Sequence, residues 1–266
     1  MAPSWQYSGW MPQPASPAHP RIRIGIGGWT YEPWRGTFFP PGLPHKQELA
    51  HASRRLSAIE VNATYYRTFK PAMFAAWREQ TPDGFVFSLK ATRFATNRKV
   101  LATAAESIQR FAGSGIADLG PKLGPIVWQF MPTKHFEPED FEAFLALLPA
   151  SAGGLPLRHV LDVRHESFAC AQYLSLARRY GCATVHTDAP QFPAIADAGG
   201  DLAYIRLMRS AAECPTGYRP ADIAAWAQGA SAWVAGGPQR EVFLYFINGA
   251  KERAPAAALE LMRAVG

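Results

Sequence analysis

The chain has 266 residues, 48% of them apolar, and carries 27 Lys and Arg against 21 Asp and Glu, a formal charge of +6. That length suits one large α/β domain or two small ones, and the scattered cations permit an anionic partner without requiring one. Cys170, Cys182 and Cys214 are odd in number and form no CxxC pair, and no apolar run reaches the length of a membrane span; this disfavours a disulfide framework, a cysteine zinc site and a transmembrane protein, and the expected setting is the reducing cytoplasm.

Residues 1–20, rich in Pro, Ser and Ala, lack both a charged leader and an apolar segment and are expected to form a flexible arm. The first strand is expected at "IRIGIG" (22–27), followed by "WTYEPWRGTFFPPGLP", a loop dense in rings and prolines. A helix over "HKQELAHASRRL" leads to a strand at "AIEVNAT" (58–64), and "PAMFAAWREQT" to a strand at "FVFSLKA" (85–91). One long helix over "LATAAESIQRFAGSGIADL" precedes the strand "GPIVWQF" (124–130), and "PEDFEAFLALLP" precedes "HVLDVRH" (159–165). "CAQYLSLARRYG" leads to the sixth strand, "ATVHTDA" (183–189). The next stretch, "PQFPAIADAGGD", lacks a helical pattern before "LAYIRLM" (202–208). "PADIAAWAQGASAWVA", "EVFLYFIN" (241–248) and "APAAALELMRAV" complete the series.

Strand and helix alternate eight times, which predicts a parallel sheet with right-handed crossovers. The expected fold class is α/β, a single-domain (β/α)8 TIM-type barrel over 21–266 preceded by the flexible arm. An open doubly wound sheet is the runner-up, but "GIGGW" is not a dinucleotide-binding turn, because its Trp would block the approach of a pyrophosphate.

Side-chain alternation then divides the strands into two faces. Ile22, Ile24 and Ile26 face the helices, leaving Arg23, Gly25 and Gly27 for the interior. The same logic turns inward Glu60 and Asn62, Ser88 and Lys90, Gln129, Asp162 and Arg164, then His186 and Asp188. The last two strands offer Tyr204, Arg206 and Met208, then Phe243, Tyr245 and Ile247. A register error of one residue would turn any of these sets outward, and the polar runs "DVRHE" and "HTDA" are the most exposed to it. Barrel interiors are ordinarily filled with Val, Ile and Leu, so so many polar residues need a reason. One reading is a self-neutralising salt-bridge network; the other is a site, since the charges gather toward the C-terminal ends of their strands, where barrel enzymes place their chemistry.

The segments "IGIGGWTYEPWRGTFFPPGLP", "IEVNATYYR", "FSLKATR", "LGPIVWQFMP", "LDVRHESF", "TDAP", "YIRL" and "YFINGAKERAPAAALEL" are similar, in this order, to the YecE-like family, a group of unknown function. The resemblance runs from Ile22 to about Leu261 and implies a TIM-type barrel without implying an activity. Where the family usually reads "YFNND", this chain has "YFING", so Ile247 and Gly249 replace polar residues; where it reads "RLHG", Met208 and Arg209 stand here. Two polar groups that would line the mouth are thereby lost.

A zinc cluster needs several inward His and carboxylate ligands, and here only His186 is inward among interleaved cations. No cofactor is implied, although a single Mg²⁺ held partly by substrate remains open. No serine-nucleophile elbow occurs, and no cysteine is expected inward at a strand end. "NGAKERAP" reads as either a phosphate cradle or an ordinary turn at Gly249. The aromatic loop reads equally as a platform roofing the pocket or as a plug of Trp29, Trp34, Phe38 and Phe39.

The expected catalytic residues are Glu60, Lys90 and Asp162. Substrate binding is assigned to Trp29, Tyr31, Asn62, Gln129, Arg164, Asp188, Arg206, Tyr245 and Asn248, with no metal ligand. The leading expectation is an enzyme acting on a phosphate ester, nucleotide or nucleic acid at the barrel mouth, with Arg164 and Arg206 gripping the anion. A non-catalytic nucleotide or nucleic-acid binding module and a sugar-isomerase-like carbohydrate enzyme are the alternatives. The expected partner is a small anionic ligand or nucleic acid and not a membrane, and the sequence does not specify an oligomeric state.

Overall fold

A computed structural model describes residues 19–197 and 199–266. Residues 1–18 of the expected arm lie outside these. Eight strands run parallel: Ile22–Gly27, Ala58–Val61, Val86–Lys90, Leu123–Gln129, His159–Asp162, Ala183–Thr187, Leu202–Leu207 and Glu241–Phe246. Each pairs with its neighbour in sequence, and the eighth pairs with the first, closing a TIM-type barrel.

The interior has two floors. Ala58, Val86, Val127, Val160, Val185, Tyr204 and Phe243 belong to an apolar inner cluster that fills the lower barrel. The charges of Glu60, Asp162 and Arg206 lie above it, while Arg158, paired with Glu241, lies below, 5.2 Å from the centre of the Phe243 ring. Outside, Ile24, Ile26, Phe87, Leu89, Trp128, Phe130, Leu161, Leu207, Leu244 and Phe246 pack against the helices. Each such side chain contributes about 1.5–3 kcal/mol on burial.

The helices are α1 (Glu48–Ser53), α2 (Ala63–Tyr66), α3 (Pro71–Gln80), α4 (Arg93–Thr96), α5 (Ala105–Ala112), α6 (Pro138–Ala146), α7 (Ala171–Arg179), α8 (Pro220–Ala235) and α9 (Ala254–Val265). Proline opens α3, α6 and α8, where its missing N–H costs nothing. The long helix expected over 101–119 is broken. A 3-10 turn precedes α5, and Gly115, at φ 100°, starts a second 3-10 segment at Ile116. Between strands six and seven the described residues contain no helix, as the sequence pattern anticipated.

Two expectations on the strands are corrected. Strand five ends at Asp162, so Arg164 lies beyond it. On strand six the faces are reversed: Val185 and Ala189 join the inner cluster, while the His186 ring lies 5.9 Å from that of Trp226 in α8. Alternation could not separate the two registers because "ATVHTDA" carries small or polar residues at both parities.

Candidate active site at the barrel mouth

The strand registers assemble a layered polar centre. Glu60 stands level with Ser88 and Gly27, Gln129 with Asp162, and Arg206 with Thr187 and Tyr245. At the base Ser88 and Tyr245 share a hydrogen bond of 2.8 Å, and the Tyr204 hydroxyl donates to Glu60 Oε2 at 2.9 Å. Burial pushes both phenols above their ordinary range, so both stay neutral, and Tyr204 serves as the donor to Glu60.

Arg206 is the hub. Its Nε and Nη2 donate to the two oxygens of Glu60 at 3.0 Å each, and Nη1 donates to Asp162 Oδ2 at 2.6 Å. Burial disfavours its charge, but Glu60 and Asp162 outweigh that and hold the proton more firmly than in a free guanidinium. With its side chain 2% exposed, Arg206 is committed to protein carboxylates and is not available to grip an anion as its sequence position suggested. Arg164 Nη2 donates at 2.9 Å to both Asp162 Oδ2 and Gln129 Oε1, and its guanidinium carbon lies 4.6 Å from the centre of the Phe192 ring.

Glu60 and Asp162 are thus matched one for one by Arg206 and Arg164, and Lys90 is a third cation. Lys90 is 6% exposed and lies over the Tyr65 ring, 4.4 Å from its centre. Burial and the neighbouring Arg206, opposed by Glu60 and Asp162, bring its pKa down to about 8. Among the described residues no hydrogen-bond partner meets Lys90 Nζ, Arg164 Nη1, Asp162 Oδ1, Gln129 Nε2 or the Asn62 amide. Asn62 Nδ2 sits where a side chain on Gly27 would touch both it and Ile247.

Four expected site residues are placed elsewhere. Trp29 packs edge-on against Trp77 of α3 and near Phe87, on the outer face of strand three. Tyr31 packs edge-on against Trp34 and lies under Lys251, whose nitrogen is 4.6 Å from the ring centre. Trp34, Phe38 and Phe39, packed against one another and His51, join the outer hydrophobic core between strands and helices and not the barrel interior. Asp188 accepts from the Met208 amide at 2.6 Å and the Tyr218 hydroxyl at 2.7 Å, bracing the end of strand seven. Asn248 is exposed past strand eight, its carbonyl held by Ser210 Oγ at 2.7 Å. The next residue, Gly249, has φ 84° and lies so close to Ser210 that a Cβ would fall 2.3 Å from its carbonyl oxygen. The loop is a clamped turn.

Among the described residues no three His, Cys, Asp or Glu side chains come together as a metal site. With Glu60 fully engaged, a Mg²⁺ ion would find Asp162 Oδ1 as the unpaired carboxylate oxygen.

Residues 23–266 match the family described as "Protein of unknown function DUF72". The chain belongs to the DUF72 family. It is 27% identical over 147 residues to the UPF0759 protein YecE of Escherichia coli K12, and equally to that of strain O157:H7; each match takes in 55% of this chain and 50% of the relative. The chain therefore spans about half the length of the curated relatives it matches. Crystal structures of DUF72 proteins share the fold. One from Thermotoga maritima has a TM-score of 0.71 at 20% identity, covering 91% of this chain and 98% of that one. One from Enterococcus faecalis has 0.71 at 17%, covering 92% and 95%.

In this DUF72 chain one side of the mouth is apolar. Met208 and Ile247 are 7% and 6% exposed and join Ala189 and Phe192 in the inner cluster. Arg206, Tyr204 and Tyr245 apart, the polar groups of the centre come from strands two to five and the residues just beyond them, and the apolar wall from the ends of strands six to eight. Sequence reasoning missed Tyr65 and Phe192 as partners of the cations, because both lie past strand ends where alternation gives no direction.

Proposed function

We propose that the mouth is the active site of an enzyme acting on a small substrate that carries a phosphate or carboxylate. The observation that carries this reading is the charge balance: four charges neutralise one another, and Lys90 stands beside them as a cation without a hydrogen-bond acceptor. A buried ammonium without an acceptor is costly to the fold and is satisfied by an incoming anion. Arg164 Nη1 would take an anionic oxygen, Asn62 and Gln129 Nε2 would donate to the body of the substrate, and Asp162 Oδ1 would move a proton. The apolar wall would receive a carbon skeleton. Three free cysteines fit a cytoplasmic setting.

Titration with inorganic phosphate and a panel of sugar phosphates, with product formation followed in parallel, tests this. Phosphate should bind the wild type and raise its melting temperature. Arg164→Gln should weaken it about tenfold or more, the scale of a lost charge-assisted hydrogen bond. Equal affinity in the two proteins would refute the assignment, and binding without turnover of any panel member would favour a non-catalytic module.

One observation favours nucleic acid as a second reading. Tyr66 and Phe94, 60% and 57% exposed beyond strands two and three, both lie near the Arg93 guanidinium, a pairing suited to stacked bases. Salt-dependent oligonucleotide binding that Arg93→Ala abolishes would support it; none at low salt would dismiss it.

A further inference from the structure

Two lysines are withdrawn from water to the same degree, Lys90 and Lys122, each 6% exposed. Lys122 is satisfied: its Nζ donates to the carbonyls of Arg78 and Thr81 at 2.7 and 2.6 Å and to the Thr81 hydroxyl at 3.2 Å. That is a structural lysine. Lys90 Nζ donates to no acceptor among the described residues, and a ring face lies beneath it. Nor is it sealed: among the described residues the enclosed side-chain polar atoms without partners belong to Arg23, Glu48, Thr96 and Trp233. Lys90 is therefore a reachable nitrogen in a poorly hydrated place beside the Arg206 guanidinium, an environment that favours the nucleophilic amine.

We propose that Lys90 condenses with the carbonyl carbon of an anionic aldehyde or ketone to form a protonated imine. This rests on the reading of the mouth as an anion-taking active site and deepens it by naming the reactive group of the substrate. The neutral amine attacks the carbonyl carbon, a C–N bond forms, and the carbonyl oxygen takes up a proton. The carbinolamine then loses that oxygen as water while the nitrogen lone pair closes the C=N bond. Overall, ammonium plus carbonyl compound give iminium plus water, with nothing oxidised or reduced. The iminium carries the same single positive charge as the ammonium it replaces, so the attraction of Glu60 and Asp162 for charge at this position is retained. Arg164 Nη1 takes the carboxylate or phosphate, and the Met208–Ile247 wall takes the carbon chain. Oxo acids and phosphorylated aldehydes or ketones share this chemistry.

Reductive trapping separates the possibilities. The protein is incubated with pyruvate, glyceraldehyde 3-phosphate or neutral propanal in the presence of cyanoborohydride, which reduces iminium ions, and adducts are mapped by peptide mass. The expected result is one adduct per chain, on Lys90, formed from pyruvate or glyceraldehyde 3-phosphate at least tenfold faster than on Lys251 and faster than from propanal. Its rate should rise as pH passes about 8, where burial and Arg206 release the proton. Each anionic carbonyl is also compared with its neutral counterpart, pyruvate with acetone and glyceraldehyde 3-phosphate with glyceraldehyde, and the larger rate ratio identifies the carboxylate or the phosphate. Lys90→Met should lose the adduct; if that variant does not fold, the comparison among lysines within the wild type still decides. Adducts confined to surface lysines overturn the proposal. Phosphate binding without a Lys90 adduct overturns the imine alone. A Lys90 adduct formed equally from propanal, and unaffected by Arg164→Gln, retains the imine and overturns the anion-binding reading.

Discussion

Arg206 and Lys90 are neighbours with opposite effects on stability. Arg206 joins two buried carboxylates, so weakening it leaves Glu60 and Asp162 without compensation in a dry interior. Arg206→Lys keeps the charge but loses the two-pronged fit to Glu60, and is expected to destabilise the fold by about 3 kcal/mol. Phosphate affinity should be unchanged, as measured by denaturant titration beside phosphate binding; a loss of affinity at constant stability would return Arg206 to the binding machinery. Lys90 has its pKa depressed to about 8 from 10.5. Between those values the unfolded chain holds a proton that the folded one has released, so stability rises with pH through that window and the full penalty applies below about 8. Lys90→Met is therefore expected to stabilise the protein at pH 7 by about 1–3 kcal/mol, an advantage that shrinks as pH approaches 10.5. A variant less stable than wild type at pH 7 would show that Lys90 supports the fold.

At the scale of the element, legibility followed the strength of alternation. Strand one, with Ile22, Ile24 and Ile26 in strict period two, was readable in both position and direction. Glu60, Gln129 and Asp162 meet Arg206 and Arg164 on the face left over when the greasy residues of their strands turn to the helices, the face to which alternation also assigns Lys90. Strand six was not readable, since its outward face carries the polar Thr184 and His186, which meet Tyr173 and Trp226 at the helix layer. Beyond strand ends direction is set by turns, so Trp29, Asp188 and Asn248 were misassigned to the pocket. What fixes such turns is visible at Gly249. Its positive φ and the approach of Ser210, whose hydroxyl donates to the Asn248 and Ala250 carbonyls, leave no room for a side chain. Gly249→Ala is expected to cost about 1–3 kcal/mol, from left-handed strain and displacement of the strand-seven loop. An unchanged denaturation midpoint would mean that the loop yields freely.

For the whole molecule, closure of the barrel is what brings Glu60 from strand two against Arg206 from strand seven, 146 positions apart in sequence. That closure depends on strand eight pairing with strand one, and both rely on α9 for cover. Ala254, Ala257, Ala258 and Leu261 of α9 are each at most 1% exposed, packed with α8, strand one and strand eight. Without α9 the outer faces of Ile24, Leu244 and Phe246 would lose cover at the seam. Each large side chain is worth about 1.5–3 kcal/mol, while a domain's net stability is only about 5–15 kcal/mol. A chain ending at Asn248 is thus expected to lose cooperative thermal unfolding, and with it the ion-paired centre, because the seam opens next to Tyr245 and Arg206. Calorimetry of the shortened chain gives the answer: a broad or absent transition is expected. A sharp transition near that of the full chain would show that strand pairing alone closes the barrel.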